Sequence, residues 1–410
     1  MIRNRLPVRW RFCFLYGVCE IHVRNDMLHD VERMLCSISF EVPKHNKNGY
    51  DEDEKMTNGK ERLKYLDVIR FLAVCLIVMS HFNMSLLAAG INIQGHPYLI
   101  KSEYVNGSFG TLGVSLFFII SGVSLYYNYG ETIKLKQYFK KRFLGIYPTF
   151  WCSYALVFIY LFMQRKQFWF ERIEVVPTWK FLLSILGMDG YFGYLGKNYY
   201  LIGEWFLGCI ILFYLAFPLL RIGVKKQPVL TAVIGVILYV LVAVFNPFQV
   251  GLTRNLVIRG CDFLFGMLWA RWMQSRKTDK KLFLLCLAVL IACGVIDNFK
   301  YPIMDVTLFG WALFVCLVFL FERIDLSHIE LIKVIGKYSY EIFLLHHVCT
   351  NLYLAGFKTH NYSLYEGIVL FAGLILIICI AIAFEKVVER EAGKILKGFL
   401  PPKKDDVSGT

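Results

Sequence analysis

Residues 66–83 read LDVIRFLAVCLIVMSHFN, an apolar run broken only by the polar groups of Asp67, Arg70, Ser80, His81 and Asn83. With its flanks it is long enough to cross roughly 30 Å of hydrocarbon as a helix. Arg70 and His81 are eleven residues apart, which at about 100° per residue is three turns plus about 20°. Asp67 lies one turn before Arg70, so all three share one stripe. Lipid would penalise that stripe, so it must face the bundle interior or a wet cavity. Asp67 and Arg70 can pair as i,i+3 neighbours. About 16 Å of axial rise keeps Arg70 and His81 from bonding each other. Two readings stand: a functional stripe, or a structural ion pair near one membrane face plus a core histidine held by a neighbour.

The rest of the chain repeats this pattern. Of 410 residues, 57% are hydrophobic and only 19% charged, and the mean hydropathy is +0.51. A soluble protein needs roughly a quarter charged residues to cover its surface. The composition excludes collagen-like, disordered, nucleic-acid-binding and small disulfide-scaffold classes. It implies an all-α polytopic membrane protein. Ten windows are candidate transmembrane helices: 66–89, 108–128, 143–164, 200–220, 228–245, 256–273, 280–297, 303–321, 334–357 and 364–386. Spanning segments must satisfy their own backbone, hence helices, and the period-2 alternation of a membrane barrel is absent.

The net charge of +14 reports basic loops. Lys134, Lys136, Lys140, Lys141 and Arg142 separate windows two and three, and further clusters follow windows four and six. The positive-inside rule places these loops, and both termini, in the cytoplasm. Trp151, Trp205 and Trp269 lie near window ends, as aromatic belts do. The 12 cysteines include no CxxC or CxxH spacing, so neither a disulfide framework nor a metal site is expected. Residues 1–55 form an N-terminal extension, read either as a mis-assigned start, with translation beginning at Met56, or as a disordered cytoplasmic segment. Residues 391–410 read as a cytoplasmic tail, with Pro401 stopping the last helix.

Five segments carry a resemblance. LDVIR followed by ten residues and His81 is similar to the opening of the acyltransferase-3 family of integral-membrane acyltransferases. GVSLFFIISGVSLYY (113–127), with Ser121 and Gly122, resembles its FFxxSG segment. KKRFLGIYPTFW (140–151) resembles its basic RxxR-Ile-x-Pro motif, with Gly145 in place of the second arginine. EWFLGCIILFYLAFPLL (204–220) and IGKYSYEIFLLHH (335–347) resemble its fourth-span and late histidine motifs. In the fourth-span motif Ile210 replaces a frequent glutamate; in the late one the histidine is His346. The resemblance covers residues 60–390, the expected transmembrane domain.

The resemblance implies transfer of an acyl group, usually acetyl from acetyl-CoA, to a hydroxyl of a cell-surface or secreted glycan. The acyl-CoA would be a co-substrate, with no bound cofactor. The residues suit that chemistry. A sugar hydroxyl needs a positioned base, and histidine has the closest ordinary pKa. His81 is the candidate, as general base or as transient acyl carrier, with Arg70, Asp67 and His346 completing the catalytic set. Lys140, Lys141 and Arg142 would meet the donor's phosphates, although they also serve as topology anchors. Glu204, Ser121 and Trp205 are candidates on the acceptor side, where an interfacial, solvated Glu204 is an equal reading. Adjacent His346 and His347 point about 100° apart, so His347 is expected to pack or to reach a backbone carbonyl. Arg259 and Asp262 read as a mutually neutralising pair.

The expected setting is a bacterial cytoplasmic membrane. The chain would act on its glycan alone or with a separate extracytoplasmic partner, and no nucleic acid is involved. The competing class is a transporter or glycan-export component, for which inverted repeats would speak. None is evident. A lipid or small-molecule acceptor is a third reading.

Overall fold

The computed structural model describes residues 9–14, 17–22, 62–101, 103–104, 107–165, 176–248, 250–273, 277–295 and 302–399. An antiparallel hairpin of β1 (Arg9–Phe14) and β2 (Gly17–His22) comes first. The rest of the N-terminal extension and residues 400–410 of the tail lie outside the described residues.

The body is all-α. Its helices are α1 (Tyr65–Ala89), α2 (Phe109–Tyr129), α3 (Leu135–Arg165), the short α4 (Phe181–Ile185), α5 (Glu204–Lys226) and α6 (Pro228–Phe245). They continue as α7 (Leu256–Met273), α8 (Lys280–Val295), α9 (Pro302–Phe321), α10 (Glu330–Lys337), α11 (Ser339–Leu354) and α12 (Leu364–Phe399). Each apolar window contains a helix among the described residues. Seven of these helices, α1, α2, α3, α5, α6, α9 and α12, are long and apolar enough to cross a membrane. The other windows fall short of that measure among the described residues. Three charges, Arg259, Asp262 and Arg271, fall within α7, and α8 has only 16 residues. The ninth window is divided, because Tyr338 leaves the helical region at φ −97° and ψ 15° and separates α10 from α11.

Small residues set the tightest packing. A Cβ on Gly122 would lie 2.1 Å from the Phe263 carbonyl oxygen, and one on Gly266 2.1 Å from that of Ile119. Only glycine lets α2 and α7 approach so closely, as small residues do at membrane helix interfaces. Gly113 likewise sits against the Ala73 carbonyl, drawing α2 onto α1. Beside this contact Arg259 and Asp262, both fully buried, pair at 3.0 Å. Ser115 Oγ (2.9 Å) and Trp311 Nε1 (2.9 Å) donate to the two Asp262 oxygens. The expected mutual neutralisation is thus part of a four-residue network joining α2, α7 and α9.

Residues 176–203 are not a free loop. They run back along α3, which donates to their carbonyls from Tyr147 (Leu186), Trp151 (Ile185) and Tyr154 (Tyr199). The tryptophans expected in belts divide: Trp151 is exposed, whereas Trp269 is buried in the core. Trp151 is tied to Ile185, Trp205 lies 5.9 Å from the Arg259 guanidinium, and Trp269 is buried against Phe314. Position near a window end does not tell which way a side chain faces.

α1 is pinned at both ends. Lys64 pairs with Asp325 at 2.9 Å in the α9–α10 turn. Past α1, β3 (Asn92–Ile93) pairs in parallel with β4 (Asn361–Tyr362) ahead of α12. Between these anchors Ser85 Oγ donates to Asn351 Oδ1 at 2.8 Å, joining α1 to α11. That contact lies about one turn beyond His81 and His346 and fixes the rotation of both helices.

Candidate active site

The stripe on α1 faces inward. Asp67 is buried and bonds Arg62 at 2.8 Å and Arg70 at 3.2 Å. The held Arg70 lines a cavity of about 270 Å³ between α1, α2, α3, α5 and α11. Arg142, Gly145, Ser121, Tyr214 and Tyr340 also line it. Its lining reaches Ile77, one turn short of His81, and Phe343, one turn short of His346. The cavity therefore leads from the arginines toward the histidines.

Arg142 is fixed by aromatic rings. Its guanidinium lies 6.0 Å from the Tyr129 centroid, 5.9 Å from Tyr138 and 5.5 Å from Tyr214. Such a cage holds a cation without neutralising it. Its Nε is buried with no hydrogen-bond partner among the described residues. Lys140 and Lys141, by contrast, are exposed and do not line the cavity. A Cβ on Gly145 would meet nothing within 4 Å. Where the resembling motif has its second arginine, this cavity has open space. Ser121, expected on the acceptor side, lies in this cavity with the arginines and donates to the Phe117 carbonyl at 2.8 Å.

Beyond the cavity three histidines meet. His81 Nδ1 and His346 Nε2 are 2.6 Å apart, with the rings stacked at 4.9 Å. His346 Nδ1 lies 2.8 Å from the Ile342 carbonyl oxygen and 2.9 Å from that of Phe343. Carbonyl oxygens only accept, so this Nδ1 carries the proton. With both rings neutral, His346 Nε2 is then an acceptor and His81 Nδ1 the donor. The remaining nitrogen, His81 Nε2, keeps its lone pair. The hydrogen-bond partners thus assign the tautomers, and His81 is left as a directed base.

The sequence named the third histidine but missed its carboxylate partner. Among the described residues His347 bonds no backbone carbonyl, and its ring packs against the two other histidines. Its Nδ1 lies 3.4 Å from Glu204 Oε1, and its ring stands edge-on to His81 at 5.3 Å. Glu204 is held in turn by the Tyr200 hydroxyl at 3.1 Å. Burial and the neighbouring Glu204 carboxylate hold the Tyr200 phenol above its ordinary pKa, so it remains a donor. Glu204 has φ +41° and follows Gly203 at φ +95°. A Cβ on Gly190 would lie 2.4 Å from the Glu204 carbonyl carbon. This strained turn puts the glutamate at the start of α5 beside the histidines, as strain at working sites often does. Trp205 follows it and covers Arg259. The HisHis doublet was visible in sequence, but its partner on another helix was not.

The acyltransferase-3 family model, described as an acyltransferase domain, matches residues 63–385. No curated protein and no solved structure matches the chain. The family match takes in most of the chain, including Asp67, Arg70, His81, Arg142, Glu204 and His346, in the helices that build the cavity and the histidine cluster. The chain therefore belongs to the acyltransferase-3 family of membrane acyltransferases.

Proposed function

We propose that the protein is a membrane O-acyltransferase that moves an acyl group, acetyl by resemblance, from a cytoplasmic acyl-CoA to a hydroxyl of a cell-surface or secreted glycan. The observation that carries this reading is His81, held through Nδ1 by His346 with Nε2 left over, one turn beyond the lining of a cavity that contains Arg70 and Arg142. Arginine offers charge-assisted bonds to phosphate and carbonyl oxygens, so these two residues suit the donor. Asp67 keeps Arg70 in place, and Lys140 and Lys141 add charge at the mouth. His81 lies about 16 Å further along α1, where a hydroxyl can be deprotonated out of bulk water. Glu204, His347 and Trp205 stand on the side from which an acceptor would come.

The basic loops support a cytoplasmic donor side with both termini in the cytoplasm, in a bacterial cytoplasmic membrane. The glycan is met at the other face, by this chain alone or with a separate extracytoplasmic partner. The test is ester-linked acetate on surface glycans of a deletion strain complemented with the full chain or its His81→Ala variant, at matched membrane abundance. Acetate restored only by the unaltered chain is the expected result. Acetate restored equally by both sinks the role of His81. Restoration by neither, with protein present, favours another acyl group or acceptor, or a transport role.

A further inference from the structure

Of the three clustered histidines, only one can receive a proton from a large external hydroxyl. His346 is fully buried and both its nitrogens are engaged. His81 spends Nδ1 on His346, which leaves its Nε2 as the nitrogen with a lone pair for the donor. The His347 side chain is 35% exposed, and its Nδ1 faces a Glu204 carboxylate that Tyr200 anchors. The Nδ1 contact to Glu204 is an ion-pair distance of 3.4 Å; a proton held on that nitrogen by the carboxylate leaves the lone pair of His347 on Nε2. This is the logic of a base oriented by a carboxylate. The ring stands 5.3 Å, edge-on, from that of His81.

We propose that His347, oriented by Glu204, is a second catalytic base, and that the acyl group passes through His81 in two displacements. This rests on the acyltransferase reading above and specifies its mechanism. In the first step His81 Nε2 adds to the acyl-CoA carbonyl carbon and the carbon–sulfur bond breaks. The thiolate leaves toward the cytoplasmic side and takes a proton from water. As the new N–C bond forms, the His81 Nδ1 proton crosses to His346 Nε2. The product is a neutral N-acyl-imidazole beside a His346 imidazolium whose Nδ1–H rests on two carbonyls. In the second step His347 Nε2 takes the proton of the acceptor hydroxyl, and the oxygen attacks the acyl carbon. The N–C bond breaks, and His81 Nδ1 recovers its proton from His346. His347 then releases its proton to water. The sum is acyl-CoA plus alcohol giving ester plus CoA.

A single base cannot do both jobs here. Once His81 carries the acyl group its Nε2 is blocked, and His346 is buried and already protonated. Of the three histidines, His347 is the one whose ring stands beside His81, whose side chain is partly exposed and which takes no part in the His81–His346 bond.

The experiment uses the purified full chain in nanodiscs with acetyl-labelled acetyl-CoA and no glycan. The readouts are label retained on His81 and its rate of loss to water and to hydroxylamine. Hydroxylamine is nucleophilic without base help, whereas water needs a base. The expected result is that H347Q and E204Q still load label and lose it to hydroxylamine at the unaltered rate, while loss to water slows on the order of 100-fold for H347Q. H81Q loads nothing. Loading itself shows that a variant is folded. Loss to water from H347Q at the unaltered rate overturns the second base. An unlabelled protein that still acetylates glycan in cells overturns the two-step route but leaves the acyltransferase reading intact. Failure of the unaltered chain in both assays removes that reading, and this inference with it.

Discussion

His81 Nδ1 and His346 Nε2 lie 2.6 Å apart across 265 residues of sequence, with the rings stacked. Because His346 gives its own proton to two carbonyls, the bond holds a single tautomer of His81. Replacing His346 by Ala leaves the His81 ring in place but frees it to rotate and exchange tautomers. The expected outcome is a fall in transfer of about 10²-fold, within the range for general acid–base groups, and a shifted pH–rate profile. H81A should fall to background. Ester acetate per unit of membrane-inserted protein, followed across pH, checks both. An H346A variant with an unchanged profile would show that the bond does not set the tautomer.

Gly145 offers a gain-of-function prediction. The position lines the cavity with Arg142, and a side chain added there meets nothing within 4 Å. Gly145→Arg would put a second guanidinium where the resembling motif has one. A charge-assisted bond to donor phosphate contributes about 1.5–3 kcal/mol, so the donor KM should fall roughly tenfold or more with kcat little changed. Arg142→Ala should move KM the other way. The exposed Lys140 and Lys141 should each have a smaller effect. Initial rates against acyl-CoA concentration decide this, and an unmoved KM in both variants would leave these residues as topology anchors.

Much of this was legible in sequence, for physical reasons. Helical period alone put Asp67, Arg70 and His81 on one stripe, and the structure keeps them on one inward face. The buried pairing of Arg259 with Asp262 followed from their spacing and the cost of a lone charge in an apolar helix. The His347–Glu204 contact depends on the relative rotation of α5 and α11, which no local pattern encodes. The break at Tyr338 carries no proline, and the nearest glycine, Gly336, falls inside α10. That Ser121 lines the same cavity as Arg70 and Arg142 was not readable, because the motif supplies a residue but not a direction. The stretch between the windows ending at 164 and starting at 200 read as a loop because part of its backbone is satisfied by side chains of α3, partners far away in sequence.

The buried network gives a stability prediction. Arg259 and Asp262 are wholly buried, and Arg259 Nη2 has no hydrogen-bond partner among the described residues. Removing one member of such a pair strands the other charge and costs about 3–5 kcal/mol. Asp262→Ala should therefore lower thermal stability in detergent sharply. The double change Arg259→Met with Asp262→Leu should recover much of the loss, because hydrophobic replacement of a whole pair is often neutral. Thermal melts of the three proteins test this. A double variant as unstable as the single one would show that the charges fix the packing of α2, α7 and α9 rather than merely cancel.

The anchor at the start of α1 is expected to respond to pH. Asp325 accepts from Ser327 Oγ at 2.6 Å and pairs with Lys64 at 2.9 Å. Hydrogen bonds from Ser327 and then Lys64 hold its carboxyl well below the ordinary carboxylate value. A carboxyl whose folded pKa lies below its unfolded value adds stability that is fully present above the unfolded value, near ~3.9. That stability is lost as pH falls toward the folded value. Asp325→Asn should thus melt below the unaltered protein at pH 7, and the gap should narrow as pH drops under ~4. The group is fully exposed, so the shift should be small and weakened by salt. Melting temperatures of both proteins from pH 7 down to the lowest pH the detergent tolerates would show it. A gap that stays constant with pH would mean that the asparagine perturbs the turn by shape and not by charge.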